Sequence, residues 1–439
     1  MFHCGITKVT FSVDPSLSHS MNAASVDKFT SLGNSRVELV DALRGSALAG
    51  ILLLHSIEHW DFSRYPENAS AWLKTLNTWT HDCGFFFFGG KSYAVFALMF
   101  GVSFSFILNR WSQRGVNFKR RFLWRLALLG FFGYINGIVY CGDFLMIIAI
   151  LGMPLVFLHG LSNRALAWLS VLLVLQIPSW WQVGRVIFES GYQVPRPYHW
   201  GVYDQICRVY GDGSLWEVIK TNLWLGQTSR LSWTFETGRY TQMLGLFVWG
   251  YMLGRSRILE NPERAAALAV RALFFGAIGF AIIYPVKGQL SDWGLQGTNR
   301  YVTANLVSAY CNLAQLAIWV GAFVLLFQWT KGKTVLRLLA PYGRMSLSNY
   351  VLQGLIGVPL FYGFGWALYR YLGPFYSVQV GAAILVAQIA VSRYWLKRFH
   401  YGPLEWLWRA LTFGAFTMPM RKPVVSPAND DIIASPSIS

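Results

Sequence analysis

The stretch LVDALRGSALAGILLLHSIEHWD, Leu39 to Asp61, combines a long apolar run with ionisable residues at both ends. The run approaches the roughly 20 residues that span the hydrocarbon core of a bilayer. It opens on Asp41 and Arg44 and closes on His55 and Glu58. Ionisable side chains in a membrane span are costly, so they face the bundle interior and mark functional sites. The stretch therefore predicts a membrane helix that carries part of a site.

The composition is typical of a membrane protein. Of the 439 residues, 54% are hydrophobic and 13% are charged, whereas charged residues make up about 25% of an ordinary soluble domain. The formal net charge of +17 does not indicate nucleic-acid binding, because the cations lie in short loops between apolar runs, where they set membrane topology. The five cysteines show no metal-ligand spacing, so we expect no metal site.

Ten apolar segments indicate the fold class. They predict an all-α, polytopic transmembrane bundle of about ten helices over residues 37–415, with a long extracytoplasmic segment at 182–238. The ten segments are 40–57, 83–109, 123–140, 143–159, 165–181, 239–254, 269–286, 303–328, 346–363 and 375–392.

The loop charges orient this bundle. The loop 110–125 has six Arg or Lys residues and no acid, whereas 58–82 has four acids and two bases. Because the basic loops follow alternate spans, both termini are predicted to lie on the cytoplasmic side. The polar segments 1–36 and 416–439 are predicted to be disordered cytoplasmic tails.

Arg44 and His55 are the strongest candidates for a site. Eleven residues at 100° each amount to three turns plus about 20°, so both side chains lie on one helix face, about 16 Å apart along the axis. This stripe suits a ligand that extends through the bundle, with an anionic group at Arg44. In the alternative interpretation, Arg44 only pairs with Asp41 at i,i+3, and His55 only meets water at the interface.

Further polar residues in or beside the predicted spans are candidate substrate-binding residues. They are Lys91, Asp143, Glu236, Arg239, Asn349 and Gln353. Some have a structural alternative. Lys91 can extend its amine towards the interface, and Asp143 can cap the helix that follows it. The two amides, which are i,i+4 neighbours, can join adjacent helices.

Five stretches resemble the YeiB family of bacterial integral membrane proteins, in family order over residues 36–415. They are RVELVDALRGSALAGILLLH, KSYAVFALMFG, GDFLMIIAILG, GRMSLSNYVLQGLIG and YGPLEWLWRALTFG. The family is largely uncharacterised. It is similar in hydropathy and in its first-helix pattern to membrane acyltransferases that modify sugars and cell-surface glycans. The resemblance implies a place in the bacterial cytoplasmic membrane.

Those acyltransferases carry an Arg-x10-His motif in the first helix, and Arg44 and His55 match its spacing. The resemblance implies that acyl-CoA binds from the cytoplasm and that the imidazole acts as general base. One departure is visible, because YeiB proteins usually show Asn at the position of His55 and His at that of Asn136. If the site needs one imidazole and one amide, this exchange predicts a contact between the first and third helices.

The predicted function is transfer of an acyl group from acyl-CoA to a hydroxyl of an extracytoplasmic or lipid-linked saccharide. The candidate catalytic residues are His55, Asn136 and Glu58, the last because it lies at i+3 from the imidazole and can orient it. Arg44 would hold a coenzyme phosphate bidentately. No bound cofactor is expected, and membrane lipid is a further partner. The alternative is a small-molecule transporter or flippase that uses the same residues without covalent chemistry.

Overall fold

A computed structural model describes residues 38–58, 60, 62, 66, 69–113, 117–290 and 292–423. Over these residues the chain is helical, and the only strand-like pairing described is one antiparallel bridge between Phe399 and Arg421. The prediction of an all-α bundle is confirmed. The predicted tail 1–36 lies outside the described residues, as do residues 424–439 of the C-terminal tail.

The helices are numbered here in chain order, and three short 3-10 or π segments at 222–226, 258–260 and 368–370 lie between them. The α-helices are α1 (Glu38–Glu58), α2 (Ala71–Phe87), α3 (Ser92–Ser112), α4 (Phe118–Val139), α5 (Leu145–Gly152), α6 (Leu155–Leu158), α7 (Asn163–Val174), α8 (Ile177–Phe188), α9 (Tyr198–Asp212), α10 (Leu215–Thr221), α11 (Gln227–Glu236), α12 (Arg239–Arg255), α13 (Pro262–Gln289), α14 (Gly297–Gln328), α15 (Thr330–Leu336), α16 (Leu339–Arg344), α17 (Ser346–Phe361), α18 (Pro374–Arg398) and α19 (Pro403–Phe413).

Among the described residues, seven helical segments are long and apolar enough to cross a membrane, which indicates a membrane-embedded protein. They are Glu38–Glu58, Ala71–Ser112, Phe118–Val139, Asn163–Phe188, Pro262–Gln289, Gly297–Gln328 and Pro374–Arg398. The other three predicted spans coincide with the shorter helices α5–α6, α12 and α17. Helix α1 is the most deeply packed of the seven, with 78% of its apolar window buried.

The second predicted span, 83–109, is interrupted. Helix α2 ends at Phe87 and α3 begins at Ser92, and the turn between them places Gly90 at a φ of +78°. A Cβ at Gly90 would lie 2.3 Å from the side-chain amide nitrogen of Asn312. Glycine is needed here both for the left-handed backbone and for the space. The apolar run continues across the turn, so hydropathy alone did not indicate the break.

Helices α3 and α12 pack backbone to backbone and run parallel, because Tyr93 meets Arg239 near their starts and Ser105 meets Gly254 near their ends. A Cβ added at Gly250 would lie 2.0 Å from the carbonyl oxygen of Leu98, and one at Gly101 would lie 2.1 Å from that of Phe247. Small residues four apart on both helices allow this approach, which is the usual way that membrane helices pack closely. Because the helices are parallel, their first residues lie at the same end of the bundle.

The predicted extracytoplasmic segment 182–238 is largely helical and packs on the end of the bundle. The side-chain amide of Asn222 donates to the carbonyl oxygen of Ile138 at 3.1 Å, at the end of α4. The Arg230 guanidinium donates to the carbonyl oxygen of Asp143 at 2.8 Å. These contacts place α9 to α11 over the C-terminal end of α4.

Two of the stretches that resemble the YeiB family meet at the start of α17. The Glu405 carboxylate, from α19, accepts hydrogen bonds from the backbone amides of Leu347 at 2.7 Å and Ser348 at 3.0 Å. These amides belong to the first turn of α17 and have no partner inside the helix. Burial raises the pKa of Glu405, and the hydrogen bonds from Ser348 oppose that rise. The contact is a helix cap supplied from a distant part of the chain.

Gly250→Ala is expected to destabilise the protein. Its methyl group would meet a backbone oxygen that cannot rotate away, so α3 and α12 must separate, at a cost of about 1–3 kcal/mol as in other overpacked cores. Gly184→Ala in α8 is the matched control, because a Cβ there meets nothing within 4 Å. Thermal unfolding of the two purified variants in one detergent measures the difference. Equal melting temperatures would contradict this account of the packing.

Candidate functional site

A cavity of about 1330 Å³ lies at the end of the bundle on which segment 182–238 packs. It is larger than the 300–1000 Å³ typical of small-ligand pockets. Its walls come from the C-terminal parts of α1, α2 and α13, the N-terminal parts of α3 and α12, and from α9, α11, α14 and α17. The cavity gathers residues from segments far apart in the chain.

Helix α1 contributes His55 and Glu58 to the cavity wall. The imidazole of His55 is 7% exposed. Its ring packs edge-on against Tyr140, with centroids 5.1 Å apart, and against Tyr350, with centroids 6.2 Å apart. Two phenol rings from different helices thus define the orientation of the imidazole at the edge of the cavity.

Asn136 and Asp143 form a buried pair beside this wall. The amide of Asn136 donates to Asp143 at 2.9 Å. The Asp143 carboxylate also accepts from the backbone amide of Leu145 at 3.1 Å, and the Arg230 guanidinium lies 3.5 Å away. Asp143 therefore caps α5, the structural role that the sequence left open. It lines the cavity, but its carboxylate already accepts hydrogen bonds from Asn136 and Leu145.

The expected contact between the side chains of His55 and Asn136 stays a prediction. Asn136 donates to Asp143, and Tyr140, one turn further on, is the residue that meets the imidazole. Tyr350 connects His55 with the turn that contains Asp143. Its ring packs against the imidazole, and its hydroxyl accepts a hydrogen bond from the backbone amide of Phe144 at 2.8 Å. The first and third predicted spans meet through aromatic rings.

Three cations, Lys91, Arg239 and Lys287, line the cavity from α3, α12 and α13. Lys91 is 5% exposed, and its ammonium donates to the carbonyl oxygen of Phe85 at 2.9 Å, at the C-terminal end of α2, where the helix dipole favours a cation. The Arg239 guanidinium donates to the hydroxyl of Tyr93. Two of these cations were predicted as binding residues, and the structure brings them to one wall.

His199 is a cavity residue that the sequence analysis missed. The carboxylate of Glu236 accepts hydrogen bonds from the Nδ1 of His199 and from the backbone amides of Tyr198, at 2.8 Å, and His199, at 3.2 Å. The Nε2 of His199 lies 3.2 Å from the hydroxyl of Tyr301. His199 and Glu236 are 37 residues apart, so no local motif could have paired them.

Hydrogen bonding keeps Glu236 ionised. Burial raises its pKa, but the hydrogen bonds from the His199 side chain and from the two backbone amides outweigh burial and hold the pKa below its ordinary value. In the neutral form of His199, an ionised carboxylate at Nδ1 favours the tautomer with the proton there and leaves Nε2 as the acceptor. This arrangement has the geometry of a base held in one tautomer.

Arg44 does not line the cavity. Its guanidinium pairs with Asp41 at 3.1 Å and donates to the hydroxyl of Ser103 at 2.7 Å. The cavity reaches Ile51 on α1 and Phe96 on α3, each seven residues from Arg44 and Ser103 respectively. Seven residues are two turns, or about 10 Å, on the same helix face. The Arg44–Ser103 pair thus lies two turns beyond the cavity floor.

Asn349 and Gln353 also lie away from the cavity lining. The Asn349 amide donates to the carbonyl oxygen of Tyr342 at 3.1 Å and to the hydroxyl of Ser392 at 2.9 Å. The Gln353 amide donates to the hydroxyl of Tyr342 at 2.9 Å. Asn349 therefore joins α17 to α16 and α18, and Gln353 joins α17 to α16. Among the described residues, no three His, Cys, Asp or Glu side chains are grouped closely enough to hold a metal ion.

Glu236→Gln should destabilise the protein in a pH-dependent way. Because the folded-state pKa of Glu236 is depressed, its contribution is fully present above the unfolded value, about 4.3, and is lost as the pH falls through the folded value. The melting temperature of the variant should therefore lie below that of the native protein near pH 7, with the gap closing under acid conditions. Glu260→Gln, at an exposed glutamate, is the control. A gap that is constant with pH would contradict the prediction.

Comparison with known proteins finds similar sequences of unknown function. Residues 253–415 match the model of a family described as a protein of unknown function, DUF418. The uncharacterized protein YxaH of Bacillus subtilis is 26% identical over 414 residues, which cover 87% of this chain and 95% of that protein. The uncharacterized protein YeiB of Escherichia coli is 27% identical over 410 residues, which cover 86% and 96%. The chain is thus similar over most of its length to YxaH and YeiB, and its C-terminal part matches a family of unknown function.

Proposed function

We propose that the protein is an O-acyltransferase of the bacterial cytoplasmic membrane, with both termini cytoplasmic, that acylates a hydroxyl of a saccharide-type acceptor bound in the cavity. The observation that carries the proposal is the place of His55, at the cavity wall, fixed by Tyr140 and Tyr350 and followed one turn later by Glu58. In this orientation the cavity lies at the extracytoplasmic end, where such an acceptor would arrive.

The transfer needs a base and a thioester. The acceptor hydroxyl gives its proton to the imidazole of His55 while its oxygen attacks the carbonyl carbon of the acyl-CoA. The carbon–sulfur bond then breaks, and the leaving thiolate takes the proton from the imidazolium. Glu58 orients the imidazole and stabilises its protonated form. Asn136 is a positioning residue, because it holds Asp143 in the turn whose Phe144 amide binds Tyr350.

The donor reaches His55 from the opposite end of α1. Arg44 provides a guanidinium for a coenzyme phosphate and lies on the same helix face as His55, two turns beyond the cavity floor. In the structure it is occupied by Asp41 and Ser103. Binding of the donor therefore requires Arg44 to exchange these partners for phosphate, and requires a path between Arg44 and the cavity floor.

Transport of the same ligand without covalent chemistry is the second candidate. The observation that favours it is the interruption between α2 and α3, because residues 88–91 line the cavity. Transporters commonly bind substrates at interrupted helices of this kind. The width of the cavity also suits passage of a large ligand.

His55→Gln should lower acyl transfer by about 10²- to 10⁴-fold, the range for loss of a general base. The assay supplies radiolabelled acetyl-CoA and a bacterial glycolipid extract to the protein in nanodiscs. His159→Gln is the matched control, because His159 does not line the cavity. Full activity in His55→Gln would refute the role of the imidazole. Ligand uptake into proteoliposomes with no acylated product would favour transport instead.

A further inference from the structure

We propose that Lys91, Arg239 and Lys287 bind the phosphate group of a membrane lipid, whose tail leaves the cavity sideways between α2 and α13. If the lipid is the acceptor of the proposed acyl transfer, the acceptor is an anionic lipid, and only this identification rests on the proposed function. The binding itself involves neither acyl-CoA nor His55.

The three cations converge from separate helices. Lys91 lies at the start of α3, Arg239 is the first residue of α12, and Lys287 lies in the last turn of α13. The parallel packing of α3 and α12 brings the first two to the same end of the bundle. Both Arg239 and Lys287 repel the ammonium of Lys91. Lys91 and Lys287 also both interact electrostatically with the thiol of Cys311 on α14. The three charges are therefore neighbours.

Among the described residues, no carboxylate pairs directly with these three cations, although Glu58, Asp82, Asp143 and Asp204 also line the cavity. Within the part of the chain that the structure describes, no Asp or Glu oxygen lies within 4 Å of Lys91, Arg239 or Lys287. Neighbouring cations at membrane depth are costly unless an opposite charge offsets them. A phosphate among the three would supply that charge together with several acceptor oxygens.

Hydrogen-bond donors remain available around the cations. Over the described residues, the buried Nε of Arg239 has no hydrogen-bond partner, and neither does the side-chain nitrogen of Asn305, another lining residue. The Lys91 ammonium has three N–H groups and one bond, to the carbonyl oxygen of Phe85. Unpaired buried donors are rare in folded proteins. The two remaining N–H groups of Lys91 are available to an oxyanion.

The opening beside these cations indicates a lipid rather than a soluble anion. The cavity is lined there by Trp79 and Phe86 of α2 and by Tyr284 of α13, which are 67%, 36% and 46% exposed. Both helices belong to apolar segments of membrane-spanning length, so in the proposed orientation these rings would face acyl chains. Tyr284 precedes Lys287 by three residues, which places the aromatic edge and the cation on one face of α13. A headgroup can thus bind inside while its tail stays in the bilayer.

Binding of dioleoyl phosphatidic acid to the delipidated protein, measured by native mass spectrometry without any acyl donor, tests the proposal. Diacylglycerol, which lacks the phosphate, should not bind. The double variant Lys91→Gln/Lys287→Gln should weaken phosphatidic acid binding about tenfold or more, since hydrogen bonds to charged groups are lost. Lys287→Arg should retain it. Arg271→Gln, at an exposed position on α13 outside the cavity, should leave affinity unchanged.

Three further results separate the alternatives. Phe86→Ser/Tyr284→Ser should weaken binding of phosphatidic acid, and inorganic phosphate that binds as tightly as the lipid would overturn the lipid assignment. Coenzyme A that competes for these cations, with no lipid bound, would assign them to the donor instead. His55→Gln should still bind the lipid. An unchanged affinity in the correctly folded double variant would refute this site and leave the proposed transfer standing.

Discussion

The close contact between α3 and α12 is the constraint on which the site depends. Two glycines, Gly101 and Gly250, let the helix backbones meet with no side chain between them. The contact fixes the helices as parallel neighbours and so brings Lys91 and Arg239 to one end of the bundle. Buried cations are costly unless an opposite charge offsets them. The packing of small residues thus determines where positive charge accumulates.

Around that charge the cavity divides into regions with different chemistry. One wall carries His55 against two tyrosine rings, and the His199 side carries an imidazole held by Glu236. The cations and the exposed aromatic rings occupy the edge nearest the lipid. Such an arrangement suits an amphipathic ligand with a polar part deep in the cavity and an apolar part outside. In both proposed functions, transfer and transport, the ligand occupies this cavity, and chemistry at His55 would distinguish the two.

Several polar residues that the sequence singled out have structural roles. Asp143 caps α5, and Asn349 and Gln353 tie α17 to adjacent helices. Glu405 lies in the last of the five stretches that resemble the family. It caps α17 by accepting hydrogen bonds from the backbone amides of Leu347 and Ser348, which lie in the fourth stretch. In a membrane bundle every buried polar group needs a partner within the protein. A polar residue inside the membrane therefore belongs either to a functional site or to a hydrogen bond between helices. Only the identity of its hydrogen-bond partner in the structure distinguishes the two roles.

The sequence by itself determined the helical class and the position of each apolar segment, because hydropathy measures directly whether a segment can lie in lipid. It also located His55, Lys91 and Arg239 as candidates, since charge in an apolar segment is visible without a structure. The tertiary structure alone decided the break at residues 88–91, which depends on the fit of Gly90 against Asn312. It alone paired His199 with Glu236 and left Arg44 beyond the cavity floor. Those relations are contacts between helices, and hydropathy describes one helix at a time.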